Sequence, residues 1–162
     1  MPPVRGAGRL TLTDVSRDPE VQALLDRTAV CDVLHRYAST IDAKDYEGLR
    51  AVFVDEARGR FGDRDWVEGA DALVAWIAGV GGGQAWQHHV VNVYHVAVDG
   101  DTARALTYVT AYQSAVGEPD EATVIVGRYH DELRRTAAGW RITSKVMETQ
   151  WRETRHASQA RP

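Results

Sequence analysis

The sequence predicts a single α+β domain, a cone in which a strongly bent antiparallel sheet wraps around one long N-terminal helix. Apolar residues recur at steps of three and four from Pro19 to about Lys44, the spacing of an amphipathic helix. After Gln84 the apolar period becomes two, which is the spacing of strands. Helices followed by a run of strands are typical of the α+β class, and 162 residues suit one core. Such a sheet leaves a pocket between its concave face and the helix.

The helices carry their own start and stop signals. Asp18 is a capping residue and Pro19 follows it at the first helical position. A second, shorter helix is predicted at about 46–52, and a third at 70–78 that ends in the glycine-rich run 79–83. We expect this run to be a flexible loop, because it lacks the Gly-Lys-Ser/Thr sequence of a phosphate-binding loop.

The second half of the chain reads as a meander. Turn residues at 98–101 and 137–140 predict antiparallel hairpins between neighbouring strands. The expected long strands, all rich in β-branched and aromatic residues, are 86–98, 102–115, 123–136 and 140–151. Shorter strands are expected at 57–61 and 65–68. The polar ends, 1–18 and 154–162, are expected to be flexible arms on either side of a domain at 19–153.

Composition and charge narrow the class of partner. Nineteen basic and 23 acidic residues give a net charge of -4, and without a basic block the chain is not expected to bind nucleic acid. It has no apolar run of about 18 residues and no apolar signal segment, so no membrane partner and a cytoplasmic location are expected. Cys31 is the only cysteine, which excludes an internal disulfide and indicates a structural thiol. We expect a small-molecule substrate and a homodimer or higher homo-oligomer.

Four segments carry a resemblance to a known family. They are the helix segment 36–45, the segment 49–57, the strand segment His88-His89-Val90-Val91-Asn92 and the turn 139–142. In this layout residues 20 to 152 resemble SnoaL-like proteins of the nuclear transport factor two-like superfamily, and most of all scytalone dehydratase, the bile-acid dehydratase and the polyketide cyclases. The resemblance implies the cone fold and a cofactor-free acid–base enzyme of secondary metabolism.

The expected reaction is the dehydration of an oxygenated, carbonyl-containing molecule of polycyclic polyketide, steroid or terpenoid type. A polyketide cyclase or a double-bond isomerase could use the same residues. The superfamily also contains proteins without turnover, so a ligand-binding or assembly protein is the alternative from a different class.

The resemblance implies a catalytic set of Tyr37, Asp42 and His89. Asp42 would orient His89 and support its protonated form, His89 would take the proton next to the carbonyl, and Tyr37 would donate a hydrogen bond to the oxygen. Tyr37 and Asp42 lie about 140° apart around an ideal helix, so spacing alone does not place them on one face.

His88 is the alternative catalytic histidine, because neighbouring residues on a strand point to opposite faces. Simple alternation places His89, Val91, Val93 and His95 on one face and His88 with Asn92 on the other. The strand pattern does not decide which face is concave, and His89 is favoured from the resemblance.

Aromatic and polar side chains are expected to bind the substrate along the wall of the cone. The predicted set is Trp66, Trp86, Asn92, Tyr108, Tyr112 and Tyr129. A metal site is not expected, since His89 and His95 would be about 20 Å apart along an extended strand.

Overall fold

The computed structural model describes residues 18–156, which form three helices and one six-stranded sheet. The helices are α1 (Pro19–Asp42), α2 (Tyr46–Arg50) and α3 (Ala70–Gly82). The strands are β1 (Phe53–Phe61), β2 (Val67–Glu68), β3 (Gln84–Asp99), β4 (Thr102–Ala115), β5 (Glu121–Thr136) and β6 (Gly139–His156). The predicted α+β class and the order of elements are confirmed.

The sheet is mixed and open, with the strand order β2-β1-β6-β5-β4-β3. The meander β3 to β6 is antiparallel throughout, as predicted, but β1 pairs with β6 in parallel. The prediction of a purely antiparallel sheet is therefore wrong at this one pair. β1 is joined to β6 through most of the chain and not through a hairpin, so no turn forces the two strands to run in opposite directions.

The core lies between α1 and the concave face of the sheet. Val30, Leu34, Tyr37 and Ile41 are buried along one stripe of α1 at three- and four-residue spacing, which is the face that the periodicity predicted. Asp18 caps the helix by accepting a hydrogen bond from the Glu20 amide at 2.8 Å. The predicted start of the helix is confirmed in residue and in mechanism.

Irregular pairing interrupts the regular ladder of the sheet at several points. β5 and β6 change register between Val126 and Gly127, where β6 carries an extra residue. A Cβ atom on Gly127 would lie 2.5 Å from the main-chain oxygen of Glu148, so only glycine fits this close approach. Another change of register lies in β3, between Val93 and His95.

Two segments that were predicted to be irregular belong to a helix and to a strand. The glycine-rich run continues α3 as far as Gly82, because the apolar face of that helix, with Leu73, Ile77 and Gly81, stays buried. β6 runs to His156, so the first residues of the predicted C-terminal arm belong to the sheet through their pairing with β5. The remaining residues of both predicted arms, 1–17 and 157–162, lie outside the described part. Cys31 is a half-buried free thiol.

Among the described residues, none of the helices is long and apolar enough to cross a membrane.

Candidate active site

A cavity of about 340 Å³ opens between α1, α3 and the concave face of the sheet. That volume is near the lower end of the range for small-molecule sites, so it suits a ligand of one to three rings. Its walls combine apolar side chains with amides, two phenols, one imidazole and two guanidinium groups. The lining residues that the site uses are Tyr37, Arg64, Trp76, His89, Tyr129 and Arg152.

A carboxylate from α1 holds the histidine that faces this cavity. Asp42 Oδ1 lies 2.5 Å from His89 Nδ1, and Asp42 Oδ2 accepts a hydrogen bond from the His89 main-chain amide at 2.8 Å. The His89 side chain is 11% exposed and that of Asp42 is 22% exposed. Both carboxylate oxygens are thus committed to His89, one to its ring and one to its backbone, which fixes the position and the rotation of the imidazole.

This contact determines which ring nitrogen is available for chemistry. An ionised carboxylate can only accept hydrogen bonds, so Nδ1 of His89 carries a hydrogen and donates it to Asp42. In the neutral imidazole Nε2 then has a free lone pair. The second nitrogen is the one that a cavity-lining His89 can offer to a ligand as a base.

Asp42 stays ionised in this setting. Burial raises the pKa of Asp42, but the hydrogen bonds from the side chain and the main chain of His89 outweigh it and leave the pKa below its ordinary value. Asp42 is also the last residue of α1, where the helix dipole disfavours a negative charge. A carboxylate at this position destabilises the helix, but it fixes the orientation of His89.

The end of α1 is attached to β3 by further polar contacts. Gln87 Nε2 donates to the Ile41 carbonyl at 3.3 Å, and Lys44 Nζ donates to the Gln84 carbonyl at 2.7 Å. Lys44 adopts φ 55°, a left-handed conformation that turns the chain away after the helix. These contacts keep Asp42 opposite His89.

The alternation along β3 places His89, and not His88, on the side of the cavity. His89, Val91 and Val93 are partly buried on the cavity and core side, whereas His88 is exposed and does not line the cavity. His95, which simple alternation placed with His89, is exposed as well. The change of register between Val93 and His95 reverses the facing of the strand, and Val96 and Val98 take the inner positions.

Two tyrosines close the inner end of the cavity. Tyr37 from α1 packs edge-on against Tyr129 from β5, with ring centroids 5.7 Å apart, and both line the cavity. Burial, followed by the neighbouring Tyr129 and Asp131, raises the pKa of Tyr37 well above its ordinary value. Burial likewise raises the pKa of Tyr129. Both phenols therefore keep their hydrogens at neutral pH and are available as donors.

A buried ion pair supports these rings. Lys145 Nζ lies 2.7 Å from Asp131 Oδ1 and 4.0 Å from each of the ring centroids of Tyr37 and Tyr129. The side chains are 1% and 0% exposed. Burial raises the pKa of Asp131 and lowers the pKa of Lys145. The sequence did not predict this pair, because β5 and β6 also carry exposed charged residues.

Only one of the six predicted substrate-binding residues lies in the cavity, and it is Tyr129. Each of the other five lies outside it, which corrects the prediction: Trp66, Trp86, Asn92, Tyr108 and Tyr112. Tyr108 and Tyr112 are exposed because the buried positions of β4 are the intervening ones, such as Val109 and Ala111. Trp66 lies under Arg58, whose guanidinium carbon is 4.5 Å from its ring centroid.

The cavity contains functional groups that the sequence analysis did not assign. Arg64 from the β1–β2 turn and Trp76 from α3 line it, as does Gln113 from β4. Arg152 lines it from β6. Within residues 18–156 no three His, Cys, Asp or Glu side chains are grouped as metal ligands.

A family comparison identifies the domain. A model of the SnoaL-like domain family matches residues 22–146. An uncharacterised protein of Mycobacterium tuberculosis is 27% identical over 127 residues, which cover 78% of this chain and 86% of that protein.

Solved structures share the fold. A candidate scytalone dehydratase from Novosphingobium aromaticivorans superimposes with a TM-score of 0.75 at 20% identity, covering 93% of this chain and 97% of that one. A hexachlorocyclohexane dehydrochlorinase from Novosphingobium barchaimii gives a TM-score of 0.76 at 15% identity, covering 88% and 99%. At these identities the comparison shows a common fold.

Proposed function

The chain belongs to the SnoaL-like domain family, and we propose that it is a lyase that dehydrates a cyclic hydroxy-carbonyl compound by acid–base chemistry. The observation that carries the proposal is the Asp42–His89 contact, which leaves one imidazole nitrogen free in a ligand-sized cavity. The names of two proteins with the same fold, a dehydratase and a dehydrochlorinase, agree with an elimination reaction.

The proposed reaction begins with removal of a proton. Nε2 of His89 takes the hydrogen from the carbon next to the substrate carbonyl, and the electron pair moves onto the carbonyl oxygen as an enolate. The Asp42 carboxylate, 2.5 Å from Nδ1, stabilises the imidazolium that forms. A positioned base of this kind contributes about 10²- to 10⁴-fold in rate.

The second half of the reaction expels water. The enolate electrons return to form a carbon–carbon double bond as the hydroxyl group on the β-carbon leaves. The same imidazolium donates its Nε2 proton to that hydroxyl, so the departing group is water and His89 returns to its starting state. One base serving both carbons requires that the proton and the hydroxyl leave from the same face of the substrate.

Tyr37 is the proposed donor to the developing oxyanion. Its hydroxyl stays protonated because burial raises its pKa, and Tyr129 offers a second phenol beside it. A neutral donor that is already ordered by packing stabilises enolate charge without reorganisation. In this proposal Asp42 does not touch the substrate and acts through His89.

The substrate is proposed to be an oxygenated ring compound of the polyketide, steroid or terpenoid kind. The apolar part of the wall, from Ile41, Phe61, Trp76, Ile125 and Met147, supports a flat hydrocarbon body. Cyclisation or double-bond isomerisation begins with the same proton transfer. They differ in the fate of the enolate, and the products distinguish them.

A product assay tests the proposal. Purified protein is incubated with cyclic β-hydroxyketones of one to three rings, and loss of water is followed by the absorbance of the conjugated enone and by mass. We expect His89→Ala and Asp42→Asn to abolish or nearly abolish turnover, with His88→Ala, a neighbour on the outer face, as the matched control. Enone formation that His88→Ala removes and His89→Ala leaves intact would contradict the assignment. A protein that binds these ketones without any product would be the ligand-binding member of the alternative class.

A further inference from the structure

The charged residues that line the cavity are all basic, although the whole chain is acidic. The whole sequence carries a net charge of -4, yet none of the residues lining the cavity is Asp or Glu. Two arginines, Arg64 and Arg152, lie in the same lining as the neutral amides Gln84, Gln87 and Gln113. The described lining therefore carries two formal positive charges and no negative one, a balance that favours an anionic ligand.

The guanidinium groups of Arg64 and Arg152 form no ion pair within the described residues. Within the described residues, neither Arg64 nor Arg152 has a carboxylate within 4 Å. Arg50 and Arg135, by contrast, each contact two carboxylates. Because Arg64 and Arg152 have no carboxylate partner in the part of the chain that the structure describes, both guanidinium groups are available to a ligand.

An aromatic shelf lies beside Arg64. Its guanidinium carbon is 6.0 Å from the ring centroid of Trp76, and that ring is stacked on Phe61 at 4.4 Å and 16°. All three side chains line the cavity. A flat ring that packs along this shelf would bring a substituent at its outer end within reach of Arg64.

We propose that the cavity takes a ring compound bearing an anionic oxygen group, a carboxylate or a phosphate, which Arg64 and Arg152 bind. A guanidinium group matches both anions because it donates parallel hydrogen bonds to two oxygens. The reacting carbonyl end of the same molecule would point toward His89. That orientation rests on the proposed function, whereas the selection of an anion does not.

A binding experiment with three probes tests the anion selection. Calorimetry measures the affinity of the full chain for 2-naphthoate, 2-naphthyl phosphate and the neutral 2-naphthylmethanol. We expect at least one anion to bind about tenfold more tightly than the alcohol, with a preference that falls as salt screens the charges. The stronger of the two anions identifies whether carboxylate or phosphate is preferred.

Single and double variants test which arginines produce the preference for an anion. Exposed ion pairs contribute about 0.2–1 kcal/mol, so Arg64→Gln and Arg152→Gln should each lower the preference by about 1.4- to 5-fold, and the double variant should abolish it. Arg104→Gln is the matched control, because Arg104 is an exposed arginine that does not line the cavity. Equal binding of the alcohol and both anions would overturn the proposal. So would undetectable binding of both anions at millimolar concentration, or a preference that the double variant retains.

The result is separable from the proposed function. The preference for the anion is measured by binding alone and requires no turnover. If the preference is present but no hydroxy-carbonyl compound turns over, the proposed reaction fails and the anion site stands. If His89-dependent turnover occurs on neutral ketones and the anion preference is absent, only this inference fails.

Discussion

Breaking the buried pair of Lys145 and Asp131 should destabilise the protein far more than removing the whole pair. Lys145 Nζ is 2.7 Å from Asp131 Oδ1, both side chains are essentially inaccessible, and Asp131 Oδ2 has no hydrogen-bond partner. Lys145→Met would leave a carboxylate in the core with neither oxygen paired. Asp131→Leu would leave an ammonium group whose remaining neighbours are the faces of two tyrosine rings.

The expected magnitude follows from the burial. Removing one partner of a fully buried pair costs about 3–5 kcal/mol, because the other charge loses its compensation. Replacing both partners by apolar side chains of similar volume is often neutral or stabilising. The double variant Lys145→Met/Asp131→Leu should therefore be at least about 2 kcal/mol more stable than the sum of the two single losses predicts. Against a typical total of 5–15 kcal/mol, each single loss is large.

Urea unfolding followed by circular dichroism measures these free energies, provided that the slope with urea is unchanged. A matched surface pair, Arg104 and Glu132 at 3.7 Å with both side chains exposed, should change stability by less than about 1 kcal/mol when Arg104 is replaced by Met. Single losses below about 1 kcal/mol at Lys145 and Asp131, or strictly additive losses in the double variant, would refute the reasoning.

Three further outcomes are expected. Tyr37→Phe should keep the ring packing and lower the turnover of a hydroxy-ketone by about 10- to 10³-fold through the loss of one donor; unchanged turnover would remove Tyr37 from the mechanism. The pKa of Asp42 is lowered on folding, so the ionised carboxylate stabilises the folded protein. This stabilisation is present above the unfolded pKa of about 3.9 and is lost as the pH falls through the folded pKa. Urea titrations between pH 2 and 7 should show this loss in the parent and not in Asp42→Asn. Tyr94 and Tyr108, stacked at 4.3 Å on the exposed face of the sheet, lead us to expect a homodimer through that face, and light scattering at the mass of one chain would contradict it.

The parts of the fold that the sequence predicted are those set by local physics. The period of three and four fixed α1, the capping pair Asp18-Pro19 fixed its start, and the period of two with tight turns fixed β3 to β6. The parallel pairing of β1 with β6 could not be predicted from local patterns, because no turn links the two strands. Gly82 within α3 was missed because the burial of one helix face outweighed the poor helix propensity of glycine.

The candidate site was predicted from the family resemblance and not from local physics. Tyr37 and His89 were named from the resemblance, and both line the cavity, with Asp42 behind His89. The aromatic residues of β4 were assigned to the wrong face, since alternation groups residues without saying which group is inside. Lys145 could not be recognised as buried from a strand that also carries exposed charges.

The most direct test of the Asp42–His89 assignment is the exchange of a carbon-bound hydrogen, which isolates the first proton transfer from any leaving group. The probe is 2-tetralone at millimolar concentration in D₂O, and the loss of the α-hydrogen signal is followed by proton NMR with parent protein, His89→Ala and His88→Ala. We predict that the parent accelerates exchange above buffer, that His88→Ala does so equally, and that His89→Ala loses about 10²- to 10⁴-fold of the acceleration. Exchange that is as fast with His89→Ala as with the parent would contradict the account.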